Sequence, residues 1–458
     1  MHNFKGKKYV ASIRLIVFII VFFIINEIIT FFLVPAGSFS RWVEYDAVTP
    51  KDSYDLVAIG SSELLRSWDS NRADELLGIH TFNMGSSSTI LEAGVYITFK
   101  NIMAYQNPKR VLIMVNRYSM TGEKIEHPRA YIGVASYLSN PSAKVEYFFR
   151  TLQMGGTMKR IFPWLDYRVS SLQDMFHNVK TKLSKKYLEY DTELVQSSSV
   201  TYRGKGFCPL VVSEKNMMSL DNLDDKKLQK KEKEGFENKE CVFLEQKITA
   251  LKDMISLCKK RGCEVIVLAS PIPITSVYST NYYLSFTHQL KELAEGEGAD
   301  YYDINFAKPE LWKSEIRDFY DQSHVNENGA TKFTEAICEL LKRKDAGEDI
   351  SNLFYQTWEE YLASIDYIVA TYTLTKKVDK EIIATAYSVT GTEVIPEYKF
   401  TLIEGEKETI LQEFDKNNVI SIPTNAFSNK ETKLRVYSRM AGEDNLEFVR
   451  YYDKTIKK

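Results

Sequence analysis

The chain has 458 residues, 44% of them apolar, more than one hydrophobic core usually serves, which points to two domains with appendages. Its 59 Lys and Arg nearly balance 61 Asp and Glu, for a formal net charge of −2. That balance offers no basic field for a polyanionic duplex, so nucleic acid is not expected as a partner.

Residues 1–14 read as a cytoplasmic tail, followed by the apolar run Leu15 to Val34, which only Asn26, Glu27 and Thr30 interrupt. A helix of that length crosses the hydrocarbon layer. Lys5, Lys7, Lys8 and Arg14 precede it, so the positive-inside rule keeps the tail in the cytoplasm and puts everything after Val34 outside. The expectation is a single-pass anchor in the cell membrane. A cleaved signal peptide is the alternative, since Ala36, Gly37 and Ser38 are small, but the run is longer than a usual signal core. A carboxyl within the span is costly to bury, so Asn26 and Glu27 are expected to meet another membrane protein, or else are tolerated near a water defect.

Residues 35–53 read as a linker, and residues 54–344 as an α/β domain with an insertion at about 121–240. Tyr54 to Ile59 is the first strand, Glu63 to Leu77 the first helix, and His80 to Asn83 a short second strand. A helix from Leu91 to Tyr105 stops before Asn107-Pro108, and Arg110 to Val115 is a third buried strand. The insertion holds amphipathic pieces, a loop from Tyr202 to Pro209 placed at the border of the substrate cleft, and a charge run from Asp224 to Glu240 that reads as a solvated helix or loop. Regular alternation resumes with a helix from Val242 to Arg261, a strand from Glu264 to Ser270, a helix from Tyr283 to Gly296 and a strand from Asp300 to Ile304. Strands alternating with helices imply a parallel sheet with helices on both faces. Residues 351–458 change texture, to Thr-, Tyr- and Val-rich runs separated by turn residues, which reads as a small antiparallel β domain of sandwich type. Five cysteines at irregular spacing, Cys208, Cys241, Cys258, Cys263 and Cys338, do not read as a disulfide framework, and the close pair Cys258 and Cys263 is expected to pack in the core rather than bind a metal.

Two stretches carry chemistry. Gly60, Ser61 and Ser62 lie where the first strand turns into the first helix, at the carboxyl end where open α/β sheets place their sites. A serine there has its hydroxyl at the mouth of a crevice, although the ordinary use of serine at such a turn is to cap the helix. In DQSH, Asp321 three residues before His324 can accept a hydrogen bond from Nδ1–H and leave Nε2 to face a serine. The Ser62 N–H, the Gly85 N–H and the Asn116 amide follow strands that neighbour one another in a parallel sheet, so all three are expected around one oxyanion. No second His or Cys sits at ligand spacing for a metal, and no nucleotide or flavin motif appears, so neither metal nor cofactor is expected.

These blocks resemble the SGNH, or GDSL-type, hydrolase and acyltransferase superfamily over roughly residues 54–344. Ile59-Gly60-Ser61-Ser62 resembles its first block, with Ser62 on the nucleophile and Ser61 in place of the usual Asp. Asn83-Met84-Gly85 resembles the second, and Asn116 matches the Asn of the third, although Met114 and Arg117 stand where Gly and Asp are usual. Asp321-Gln322-Ser323-His324 resembles the fourth. The resemblance implies a flavodoxin-like three-layer fold and a catalytic triad of Ser62, Asp321 and His324, with Gly85 and Asn116 at the oxyanion. The anchor and the Gly-Ser-Ser-Glu opening resemble the cell-envelope branch that includes the DltD proteins. That likeness implies a polytopic membrane O-acyltransferase as partner and an envelope polysaccharide or teichoic acid as acceptor. The function expected is serine O-acyltransfer or ester hydrolysis through an acyl-serine. A carbohydrate deacetylase and a non-catalytic scaffold for a membrane acyltransferase are the alternatives.

Overall fold

Apolar runs buried on both faces belong to a sheet covered on both sides, and four such runs build the central sheet. The computed structural model describes residues 2–36, 38–49, 53–122, 134, 137–152, 162–165, 168–196, 200–213, 240–280, 282–427, 432–444 and 450–456. Leu56–Gly60 (β1) and Thr81–Gly85 (β2) are buried throughout, as are all but the first residues of Arg110–Val115 (β3) and Glu264–Ala269 (β4). With Asp300–Asp303 (β5) they form a five-stranded sheet in the order β2-β1-β3-β4-β5. β1 runs parallel to β2 and β3, with Gly60 opposite Gly85 and Ile59 opposite both Met84 and Ile113. This is the flavodoxin-like order, and its direction of winding reverses between β1 and β3. The expected α/β class is the one observed.

The chain divides into two compact units. One comprises Met1–Val211, Phe243–Leu268 and Ala294–Asp300; the other comprises Val212–Val242, Ala269–Leu293 and Tyr301–Lys458.

The first unit opens with helix α1, His2–Leu33, whose stretch Ser12–Leu33 has a mean hydropathy of 2.8, is only 6% buried, and is long and apolar enough to cross a membrane. The segment expected as a linker carries helix α2, Ser40–Val48, anchored by the buried Glu44, which accepts from Asn101 Nδ2 at 2.8 Å and Ser139 N at 2.7 Å. The helix expected from Glu63 to Leu77 is two helices, α3 at Ser62–Ser67 and α4 at Ser70–Leu77. Asp69 explains the break: extended at φ −86° and ψ 98°, it turns its carboxylate onto the N–H groups of Asn71 and Arg72 and starts a second helix. The helix expected from Leu91 begins as a π-turn, Leu91–Val95, with Val95 N bonded to Ile90 O, and becomes α-helical at Tyr96–Tyr105. Apart from Glu240, the charge run lies outside the described residues.

In the second unit, Tyr283–Gly296 is helical as expected, and helix Glu327–Asp345 follows the DQSH loop. Beyond it lie a three-stranded sheet, Val419–Pro423 (β10), Glu381–Thr390 (β7) and Ile368–Val378 (β6), and a four-stranded sheet of Arg450–Ile456 (β12), Thr432–Met440 (β11), Pro396–Glu404 (β8) and Lys407–Asp415 (β9). Their inner faces share a core that includes Ala384, Phe400, Leu402, Leu434 and Val436, so the expected β domain is a two-sheet packing. All five cysteines are free and buried, and burial pushes the Cys208 and Cys258 thiols up to about 12.

Candidate active site

The β1/β3 switch point puts the Gly-Ser-Ser turn beside Asn116. Ser61 is the residue before α3, yet its side chain caps no helix N–H. Its Oγ donates instead to Glu63 Oε2 and accepts from Asn116 Nδ2 at 3.1 Å. Asn116 is itself fixed, because its Oδ1 accepts from Ser119 N at 2.8 Å and caps the helix Arg117–Thr121. A relay from the Asn116 amide through Ser61 to the buried Glu63 carboxylate therefore spans the ends of β1 and β3. Ser62, the first residue of α3, has its Oγ in a long contact of 3.4 Å with the same Glu63 oxygen.

Asn83 braces this arrangement from the end of β2. Fully buried, it donates from Nδ2 to Leu64 O at 2.9 Å, which also accepts from Trp68 N, and to Trp68 O at 2.8 Å where α3 breaks, and it accepts from Gly85 N at 2.9 Å. The Gly85 N–H is thus engaged with Asn83 Oδ1. Gly85 also lets α3 sit directly on the strand, since a Cβ there would lie 2.4 Å from Leu65 N. The loop from Tyr202 to Pro209 clasps the same edge. Lys205 O accepts from Asn83 N at 3.0 Å, Cys208 O accepts from Arg66 Nη1 at 2.6 Å, and the Tyr202 hydroxyl donates to Asp46. Gly206, at φ +82°, passes so close to Asn83 O that no side chain fits. Behind the β2 end a recess of about 30 Å³ is lined by Phe39, Val43, Glu44, Met84, Gly85 and Ser86, among others.

The second unit holds Asp321 and His324. His324 Nδ1 lies 3.0 Å from each Asp321 oxygen, and the N–H groups of Ser323 and His324 donate to Asp321 Oδ1 at 2.8 and 2.9 Å. The backbone closes the loop, with Tyr320 N donating to His324 O at 2.8 Å and Phe319 bridged to Val325. Asn326 begins the next helix and ties the loop back through Nδ2 to Arg317 O at 2.6 Å. Burial raises the Asp321 carboxyl, but the hydrogen bond and charge of His324 and the two backbone N–H groups outweigh it and hold the group below its ordinary value. Nδ1 is thus the ring nitrogen that the carboxylate holds.

The sequence-derived residues therefore fall into two sets. Ser62, Gly85 and Asn116 belong to the first unit, with Ser61 bonded to Asn116; Asp321 and His324 belong to the second and are bonded to each other. Glu63 and Asn83 appeared in the sequence only as members of motifs, and hydrogen bonding gives them positioning roles that spacing does not reveal. Among the described residues, no group of three or more His, Cys, Asp or Glu is placed to hold a metal ion.

No family model matches the chain, and none of the curated proteins does. Among solved structures it is similar to a Bacteroides fragilis protein that carries the provisional name of acylhydrolase, at 10% identity and a TM-score of 0.30, over 66% of this chain and 95% of that one. It is also similar to a GDSL-like lipase from Bacteroides thetaiotaomicron, at 9% identity and a TM-score of 0.30, over 68% of this chain and 99% of the other. At such scores the functional reading stands on the site's own atoms.

Proposed function

We propose that this chain is a membrane-anchored serine esterase or O-acyltransferase of the SGNH type, acting outside the cell membrane on envelope polysaccharide or teichoic acid. The observation that carries the reading is the Asp321–His324 pair, whose geometry readies one ring nitrogen as a base. Ser62 Oγ attacks the acyl carbonyl while His324 Nε2 takes its proton, and a tetrahedral oxyanion forms. Asn116 has two amide protons, and with one on Ser61 it offers the other to the oxyanion, alongside the Ser62 N–H. Gly85 joins them only by exchanging its bond to Asn83. The oxyanion collapses, His324 returns the proton to the leaving alcohol, and acyl-Ser62 remains. A sugar or polyol hydroxyl, or water, then repeats the sequence in reverse. A polytopic membrane O-acyltransferase that delivers acyl groups across the bilayer is the partner that the resemblance to the cell-envelope branch implies.

The test is labelling of the full-length protein in detergent with a fluorophosphonate. The expected result is one adduct on Ser62, lost in Ser62→Ala and in His324→Ala. Full cellular activity in a Ser62→Ala strain would instead establish a scaffold. Ester product on a glycan acceptor, against free acid alone, separates transfer from hydrolysis.

A further inference from the structure

The chain returns to its own apolar helix at two levels. At the upper level, Val169 N donates to Leu33 O at 2.9 Å, Asn178 Nδ2 to Phe32 O at 3.0 Å and Val34 O at 2.9 Å, and Lys182 Nζ to Phe31 O and Val34 O at 2.6 Å. These donors cap carbonyls that a helix C-terminus leaves open, and Lys182 sets a cation at the negative end of the helix dipole. At the lower level, Trp164 Nε1 donates to Asn26 Oδ1 at 3.0 Å, and the Phe162 ring meets Phe22 edge-on at 5.7 Å between centroids. Asn26 and Phe22 lie seven and eleven residues before Leu33, a drop of about 10 and 16 Å along the helix. Half of a bilayer's hydrocarbon layer is about 15 Å. If α1 spans the membrane, Phe162 and Trp164 lie beside it within the acyl chains.

The helix Leu172–Lys182, which packs at the upper level, is amphipathic. One side gives Asn178 and Lys182 to α1, where both are buried. Beside them runs an apolar stripe of Leu172, Phe176 and, just past the helix end, Leu183, exposed by 73, 69 and 64%. Gln173, His177 and Lys180 take the opposite side. A large apolar stripe at the level where a span leaves the hydrocarbon fits the plane of the lipid surface.

We propose that residues 162–165 and 168–183 form a second membrane contact: Phe162, Trp164 and Leu165 enter the acyl layer alongside α1, and Leu172, Phe176 and Leu183 rest on the lipid at its rim. The occupant of the stripe is the bilayer itself, because the same stretch of chain packs on α1 at Phe22, Asn26 and Phe31 to Val34, and that helix is apolar and only 6% buried. The contact also gives Asn26 a partner inside its own chain, where the sequence suggested a second membrane protein. It holds the first unit at a defined attitude to the membrane, which a single tether does not.

This inference rests on α1 crossing the bilayer, and the experiment separates the two. Full-length protein carrying a single nitroxide on Ile24→Cys, Leu165→Cys, Phe176→Cys or His177→Cys is reconstituted in phosphatidylcholine–phosphatidylglycerol vesicles, the native thiols being buried. Collision of each label with oxygen and with a water-soluble nickel chelate is then measured. Oxygen is expected to dominate at Ile24, Leu165 and Phe176, with Leu165 deeper than Phe176, and the chelate at His177. Oxygen at Ile24 but the chelate at Phe176 overturns the second contact and leaves the span intact. The chelate at Ile24 overturns the span and the inference together. Exclusion of both reagents at Phe176, with broadening by a neighbouring label, overturns the lipid assignment in favour of a second copy.

Discussion

At the scale of single residues, the carboxylate–imidazole pair is the most sharply built feature. Asp321 meets the His324 ring with both oxygens and takes two backbone N–H groups besides, so the ring orientation is imposed from several directions. Asp321→Asn keeps the shape but removes the charge that favours the protonated ring. It should lower kcat/KM for p-nitrophenyl acetate by about 10²- to 10⁴-fold with little change in melting temperature. The pH profile carries a sign. A folded-state carboxyl held below its ordinary value contributes stability that is present above about pH 4 and lost only as pH falls through the lowered value. The imidazole must be neutral to act as a base, so activity should fall with acidification while circular dichroism still reports a folded protein. Loss of activity and structure at the same pH would contradict this assignment.

Among elements, the decisive event is the seating of α3 on the ends of β1 and β2. Strand pairing alone brings Gly60 opposite Gly85, but the helix must also approach within van der Waals contact of β2, and that closeness is what presents Ser62. Gly85→Ala places a methyl against the Leu65 backbone, which cannot swing away as a flexible side chain would. An overpacking cost of about 1–3 kcal/mol is expected in urea unfolding, with Ser62 labelling slowed in the protein that still folds. The break at Trp68–Asp69 belongs here too. The residues from Glu63 to Leu77 are spaced as one helix, and only the bonds that Asp69 and Asn83 make explain why the chain stops and restarts. Lys407–Asp415 leaves little mark in the sequence, because an edge strand exposed at most positions lacks the apolar alternation of its neighbours.

For the whole molecule, the apolar helix carries the anchored reading. A helix with a mean hydropathy of 2.8 over Ser12–Leu33 is long and apolar enough to cross a membrane, and a span held by apolar transfer does not respond to salt. The protein should therefore stay in the membrane fraction through washes with 1 M salt and alkaline carbonate, about the ionic strength at which surface ion pairs are screened within 3 Å, and leave only in detergent. Release by salt alone would mean a peripheral protein and would undo the anchored reading.

Periodicity along the chain was enough to give the apolar helix, the buried strands, the alternation that makes a parallel sheet, and the change of texture into antiparallel β structure. Each is a local pattern, because burial on two faces, on one face or in lipid leaves its own spacing of apolar residues. The Asp321–His324 bond was legible for the same reason, its partners lying three residues apart in one loop. What folding alone decided were the relations between distant residues: Asn116 on Ser61 rather than on the solvent, Asn83 spent on the broken helix and on Gly85, and Trp164 answering Asn26 across 138 positions of sequence. Hydrogen-bond partners are chosen by which surfaces meet once the core has closed, and a chain read in order carries no record of that meeting.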